Sequence, residues 1–142
     1  MPRWVRHRNK VPITVEGDSA SSTNPSTWSN YSEATRSKLG DGLGFVLNGD
    51  GIICIDLDHC FDGQPSEQAK TLIDSLPNTY VEISPSGTGL HVWGFASLEK
   101  GRRFSVNGLS VEVYPNGRYI TVTGKAMNRA KFAHLDLSNL LP

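Results

Sequence analysis

Ile52-Ile-Cys-Ile-Asp-Leu-Asp58 is an apolar run that closes on two carboxylates two residues apart. A continuous run of this length, with Gly49-Asp-Gly51 before it and polar residues after it, reads as a central β-strand covered on both faces. Side chains alternate along a strand, so Asp56 and Asp58 point the same way. Two carboxylates crowded on one face repel each other. Ligation of a divalent cation by their oxygens is the ordinary relief.

Upstream of that run, Gly44-Phe-Val-Leu-Asn48 has strand character, and Asn48-Gly-Asp-Gly51 is a hairpin signal. The two strands are therefore expected to pair with each other. Further upstream, 4–8 and 11–15 read as short extended segments joined by a basic turn. A polar loop over 16–24 follows, and Asn24-Pro25 supplies an N-cap and a first-turn proline for a helix over 25–38.

Downstream, Ala69, Leu72, Ile73 and Leu76 recur at helical spacing and predict a helix over 65–76, stopped by Pro77. Strands are expected over 79–84 and 90–95, a basic loop over 101–108, and a second hairpin of 109–114 with 118–123 around Pro115-Asn-Gly117. Residues 124–129 are read as leaving the sheet, and the apolar tail 135–142 as the start of a connection to a further segment. Mostly antiparallel strands with two or three helices predict one α+β domain over 1–142.

Composition narrows the class. The chain has 142 residues and 14 basic against 14 acidic side chains, so its formal charge is zero. That argues against a protein that coats duplex DNA, although Arg3, Arg6, Arg8 and Lys10 cluster at one end and Arg102 with Arg103 at another. No apolar run approaches the roughly 20 residues of a membrane span, and the basic start lacks the apolar stretch of a secretory signal. Cys54 and Cys60 are too few for a disulfide framework, so a cytoplasmic location is the expectation.

Three further positions carry chemistry. Ser84-Pro-Ser-Gly-Thr-Gly-Leu-His91 is a glycine-rich turn whose backbone amides can face phosphate oxygens, with His91 opening the next strand. Glu112 interrupts the apolar strand Val111-Glu-Val-Tyr114. Arg118 is a candidate clamp for a triphosphate, with Arg102 and Arg103 as alternatives, because a guanidinium matches phosphate oxygens. Thr121, Thr123 and Lys125 are candidate pocket residues, and Trp4, Trp28, Tyr114 and Tyr119 candidate stacking surfaces for bases. Each of these has an ordinary structural reading as strand cap, hairpin turn, solvated charge or core.

In this order, Asp-x-Asp, Ser-Gly-x-Gly-x-His and a strand-borne Glu resemble the archaeo-eukaryotic primase superfamily, and most closely the primase–polymerase domains of phage and plasmid replication proteins. The resemblance spans nearly the whole chain, including Asn24-Pro-Ser-Thr-Trp28 and Arg118-Tyr-Ile-Thr-Val-Thr-Gly124. It implies an RRM-like antiparallel catalytic sheet with packed helices and an N-terminal α/β unit. Asp56, Asp58 and Glu112 would be catalytic ligands of Mg²⁺ or Mn²⁺. His91, with Ser86 and Gly87 in its turn and Arg118 beyond, would meet the nucleotide phosphates. The implied activity is template-directed transfer of deoxyribo- or ribonucleotides from their triphosphates to a primer 3′-hydroxyl on DNA by a two-metal mechanism, in the host cytoplasm. Such domains are commonly followed by a helicase, so the chain is expected to be a fragment of a larger replication protein.

Two other classes compete. A metal-dependent nuclease or nicking enzyme of the relaxase type needs paired histidines two residues apart, and His91-Val-Trp93 lacks the second. A non-catalytic nucleic-acid-binding module has no use for acids at three strand positions facing phosphates. Zinc binding through Cys54, His59 and Cys60 offers too few ligands.

Overall fold

A computed structural model of the chain describes residues 2–138 and 140. In chain order, β1 is Trp4–Arg8, β2 Val11–Ile13, α1 Tyr31–Arg36, β3 Gly42–Asn48, β4 Ile52–Asp58, α2 Glu67–Asp74 and β5 Val81–Ile83. Then follow β6 Leu90–Phe95, β7 Arg102–Val106, β8 Leu109–Tyr114, β9 Asn116–Val122, β10 Ala126–Asn128 and β11 Ala133–His134. The architecture is α+β, rich in antiparallel strand with short helices. None of the described helices is long and apolar enough to cross a membrane.

Two sheets form. The smaller runs β2-β1-β3-β9 and the larger β10-β5-β6-β4-β8-β7, with β11 added parallel to β6. As expected, β4 lies in the middle of its sheet. Ile53, Ile55 and Leu57 face one side, where α2 covers them with Ala69 and Leu72 together with Leu135 and Leu137. On the other side Cys54 and Trp93 pack against Leu47, Phe45, Ile120 and Val122 of the smaller sheet. The larger sheet is thus sandwiched, apolar on its helix side and mixed on its sheet side.

Both expected hairpins are overturned. β3 pairs with β9 and β4 pairs with β8, so neither hairpin signal joins the strands that flank it. Instead, β3–β4 and β9–β8 form one antiparallel ribbon that passes from the smaller sheet into the larger. Asn48 pairs with Asn116 and Cys54 with Tyr114, leaving residues 49–53 opposite Pro115 alone. The glycine-rich loop bends out of the ladder, with Gly49 and Gly51 at φ 74° and 97°. Its polar groups turn to other partners: Gly49 N–H donates to the Pro115 carbonyl at 2.9 Å, and the Gly51 carbonyl accepts from Ala96 N–H at 2.8 Å. Pro115 has no amide for a ladder and marks the second crossing.

Other expectations fare unevenly. The basic turn is observed: Asn9 and Lys10 form a two-residue loop at φ 50° and 65° between the paired residues Arg8 and Val11. The helix over 25–38 is divided into a 3₁₀ turn at Pro25–Thr27 and α1. Backbone bonds of 2.8 Å and 2.7 Å between Trp4 and Ser29 compete with helical ones there, and Asn30 starts a new helix with a capping box to Glu33. The basic loop over 101–108 is a strand, β7, joined to β8 by Asn107-Gly108 at φ 51° and 83°. Residues 124–129 return to the sheet as β10, on the edge of β5. Leu135 and Leu137 of the apolar tail are buried in this domain's own core, while residues 139, 141 and 142 lie outside the described ones.

Candidate active site

Strand register assembles the charged residues into one row. Across the larger sheet Glu82 (β5) pairs with His91 (β6), His91 with Asp56 (β4), Asp56 with Glu112 (β8), and Glu112 with Arg103 (β7). Directly opposed residues share a face, so all five side chains project to the same side of the sheet. The neighbouring rung on that face, Trp93–Cys54–Tyr114, is apolar and leads under the smaller sheet. The rung on the other side carries Asp58 opposite Ser110 and is open to solvent. The charged row therefore stands where the sandwich opens.

Within the row, His91 is held between two acids. Its Nδ1 lies 3.2 Å from Glu82 Oε2 and its Nε2 lies 3.7 Å from Asp56 Oδ1. Glu112 Oε1 forms an ion pair with Arg103, 3.0 Å from its Nε. Asp56 is half-buried. Burial pushes its carboxyl above the usual carboxylate range; the adjacent His91 pulls it down, Asp58 and Glu112 push it up, and Lys10 pulls it down. The residual strain of two neighbouring carboxylates is the property that a cation relieves.

A cleft of about 280 Å³ opens over the row, lined by Asp56, Asp58, His91 and Ser86 on one wall and Lys10, Tyr119 and Thr121 on the other. Lys10 arrives on the β1–β2 turn, where the Tyr119 hydroxyl donates to its carbonyl and Asp41 Oδ2 accepts from Asn9 N–H at 2.6 Å. The turn before His91 is cross-braced by hydroxyls: Ser84 Oγ lies 3.0 Å from Ser86 Oγ, which lies 2.9 Å from Thr88 Oγ1. Its two glycines serve different needs. Gly87 adopts φ 78°, whereas a Cβ on Gly89 would stand 2.7 Å from the Leu57 carbonyl.

Of the residues named from sequence, Asp56, Asp58, His91, Ser86, Thr121 and Tyr119 line this cleft, and Gly87 sits in its turn. Glu112 lies one strand away in the same row, bordering a second hollow of about 270 Å³ with Asp58 and Arg103. Arg118 is not in the cleft lining; its guanidinium stacks 4.4 Å over the Tyr114 ring. Trp28 is core, and Thr123 is turned to the Ile83 carbonyl at 2.6 Å. The zinc reading loses ground, since Cys54 and Cys60 are both buried, with burial pushing Cys60 up to about 11.

Sequence reasoning missed two residues. Glu82 is fully buried, and its signal was an acid between Val81 and Ile83, the same pattern that singled out Glu112. Lys10 had no local signal, because only the packing of the two sheets brings its turn over β4.

No protein-family model matches this chain. In sequence, it is 39% identical over 150 residues to the "DNA Primase-polymerase" of Nitratiruptor phage NrS-1, a match covering 96% of this chain. Nearly all of the chain is thus similar to one stretch of a phage primase–polymerase. It spans only 21% of that protein's length.

Proposed function

We propose that this chain is the nucleotidyl-transfer domain of a phage DNA-replication enzyme, an RRM-like primase–polymerase unit that extends a primer on a DNA template. The observation that carries the reading is the single row His91–Asp56–Glu112 beside Asp58, opening into a cleft with Lys10 opposite. Similarity to the phage protein supports the same class.

The donor set fits Mg²⁺ or Mn²⁺. All three acids offer hard oxygen ligands, and Asp56 carries the like-charge strain described above. Among the described residues no three His, Cys, Asp or Glu groups close into a metal cage. An open wall of carboxylates suits Mg²⁺, which keeps water and substrate phosphates among its ligands. Asp56, Asp58 and Glu112 would hold it. When bound, the metal offsets the triphosphate's charge and favours attack on the α-phosphate.

The chain's own groups do the positioning. Lys10 offers a point charge to the phosphates, His91 an Nε2 that faces the cleft, and the Ser86–Gly87 turn its hydroxyl and amide groups. Arg118, stacked on Tyr114, offers a further cation on the Glu112 side. The primer 3′-hydroxyl oxygen would then bond to the α-phosphorus, releasing its proton to water, as the bond between the α-phosphorus and the bridging oxygen of the β-phosphate breaks and pyrophosphate leaves. Deoxyribo- or ribonucleoside triphosphates and primed DNA are the substrates, and a fused or associated helicase is the expected partner.

Extension of a labelled primer on a DNA template with Mg²⁺ or Mn²⁺ tests the proposal. Asp56→Ala with Asp58→Ala should abolish extension while leaving the thermal unfolding transition cooperative. Template cleavage without synthesis would overturn the reading in favour of a nuclease.

A further inference from the structure

Glu82 is the most deeply buried ionisable side chain of the row, at 0% exposure, and it lies four residues before Ser86, the nearest proposed phosphate contact on its own strand and turn. Burial of a carboxylate is costly unless donors surround it. Four do. Tyr80 Oη and Gly124 N–H donate to Oε1 at 3.1 Å and 3.3 Å, and Thr123 N–H donates to Oε2 at 3.2 Å. The fourth is His91, whose Nδ1 lies 3.2 Å from Oε2.

We propose that Glu82 is a positioning residue that holds His91 with Nδ1 protonated and Nε2 presented to the cleft, while clamping the strand that forms the opposite wall. The role follows from donor and acceptor chemistry. An ionised carboxylate only accepts, and both backbone amides at Thr123 and Gly124 only donate, so the nitrogen of His91 that meets Glu82 must bring the hydrogen. That choice fixes the tautomer and the ring plane, as the partner of one imidazole nitrogen always does for the other. Nε2 is then left beside Asp56 and turned to the cleft.

The clamp has a second consequence. Thr123 and Gly124 follow directly on β9, which supplies Tyr119 and Thr121 to the other wall. Through its two amide bonds Glu82 ties the end of that strand to β5, and Thr123 adds the 2.6 Å bond from its hydroxyl to the Ile83 carbonyl. One side chain therefore sets the orientation of His91 and the place where the smaller sheet joins the larger. Tyr80 completes the shell; burial and Glu82 together push its hydroxyl up to about 12, so it stays a donor.

This inference rests on the nucleotide-binding reading of the cleft, but its first measurement does not. In the metal-free wild-type protein, ¹⁵N ring shifts of His91, assigned by loss of its signals in His91→Asn, should show a protonated Nδ1 at about pH 8.5, well above the ordinary histidine range. A bare Nδ1 overturns the proposal whatever any variant does. Glu82→Gln leaves one acceptor oxygen for four donors, and the ring, unlike the backbone amides, can change tautomer. In that variant the Nδ1 proton should be lost from a substantial fraction of molecules, and, with the ring plane and the end of β9 no longer held, the nucleotide KM should rise about tenfold with kcat little changed. Tyr80→Phe, which removes a donor to Glu82 alone, should leave both the His91 shifts and KM unchanged. Unaltered His91 shifts and KM in a folded Glu82→Gln protein also overturn the proposal. If wild-type protein neither binds nucleotide nor extends primers, the function proposed for the cleft fails, and the histidine shifts still decide the role of Glu82 in orienting the ring.

Discussion

Gly49 and Pro115 are joined by a 2.9 Å backbone hydrogen bond at the point where both strands of one ribbon leave the smaller sheet for the larger. The two crossings lie side by side, and the bond closes the gap left by the bulge of residues 49–53. That arrangement makes β3–β4 and β9–β8 two halves of one structure rather than two hairpins. It also brings Tyr119 and Thr121 over Asp56, because the same ribbon contributes to both walls of the cleft.

The crossing is pinned by Arg3. Its guanidinium is buried, bonds the Val46 carbonyl through Nε at 3.0 Å and Nη2 at 2.6 Å, and pairs with Asp50 in the loop. Replacing Arg3 with Met leaves the buried carbonyl and the exposed Asp50 carboxylate without this partner. A buried carbonyl left without its donors costs about 1–3 kcal/mol, so Arg3→Met should lower the urea midpoint. Asp50→Asn should cost less, since Asp50 is the more exposed partner and the amide oxygen still accepts. Equal melts for wild type and Arg3→Met would show that the loop is held by backbone bonds alone.

The two glycines of the turn before His91 should respond differently to alanine. At Gly87 the added methyl meets open space, and the cost is the left-handed backbone, about 1–2 kcal/mol. At Gly89 the methyl meets the Leu57 carbonyl at 2.7 Å and Ser84 Oγ at 3.1 Å. Overpacking of that kind costs about 1–3 kcal/mol and moves backbone, here the strand that carries Asp56. Gly89→Ala should therefore lose primer extension as well as stability, whereas Gly87→Ala should keep most of its extension at saturating nucleotide. Chemical denaturation and initial rates on the same samples separate the two.

Much of the site was legible because a polar residue in an apolar strand is conspicuous. Asp56, Asp58, His91 and Glu112 each interrupt such a run, and the period of two placed the Asp pair on one face. Pairing partners were less legible. Asn48-Gly-Asp-Gly51 and Pro115-Asn-Gly117 carry good turn chemistry, yet a turn signal is local and cannot tell a hairpin from a crossing between sheets. Conversely, Asn107-Gly108 between Phe104-Ser-Val106 and Leu109-Ser-Val111 was a true hairpin signal hidden by the basic Arg102-Arg103 beside it. Those arginines sit on the outermost strand, where one side of the ladder faces solvent and charge is tolerated. Lys10 reaches the cleft by tertiary packing alone, which no local pattern encodes.

Asp56 should trade stability against activity. Burial and the neighbouring Asp58 and Glu112 together outweigh His91 and Lys10 in raising its carboxyl, so its ionised form is disfavoured in the metal-free fold. A group of that sign opposes folding once pH is above its ordinary value. Asp56→Asn keeps the shape and removes the charge. Its metal-free thermal midpoint at neutral pH should exceed the wild-type one, while primer extension falls by about 10²-fold or more, the scale of losing a charge contact worth several kcal/mol. Added Mg²⁺ should raise the midpoint of the wild type and leave that of Asp56→Asn nearly unmoved. A metal-free midpoint below wild type would show that the His91 contact outweighs the carboxylate crowding.

Lys10 offers the sharpest separation of fold from function. It occupies the second position of a two-residue hairpin loop at φ 65°, where Asn-Gly is the preferred pair and a side chain is strained. Its backbone carbonyl accepts from the Tyr119 hydroxyl, a bond that survives any change of side chain. Lys10→Gly should therefore stabilise the protein by about 1 kcal/mol, because it relieves the loop and keeps that bond. The same change removes the only cationic side chain lining the described cleft, opposite Asp56 and His91. Loss of one charge-assisted phosphate contact weakens binding by about tenfold, so calorimetric titration with Mg²⁺ and a deoxynucleoside triphosphate should show a Kd about tenfold higher in a protein that melts later. Unchanged nucleotide affinity in Lys10→Gly would remove Lys10 from the triphosphate site and shift that role to Arg118, for which Arg118→Ala is the matching measurement.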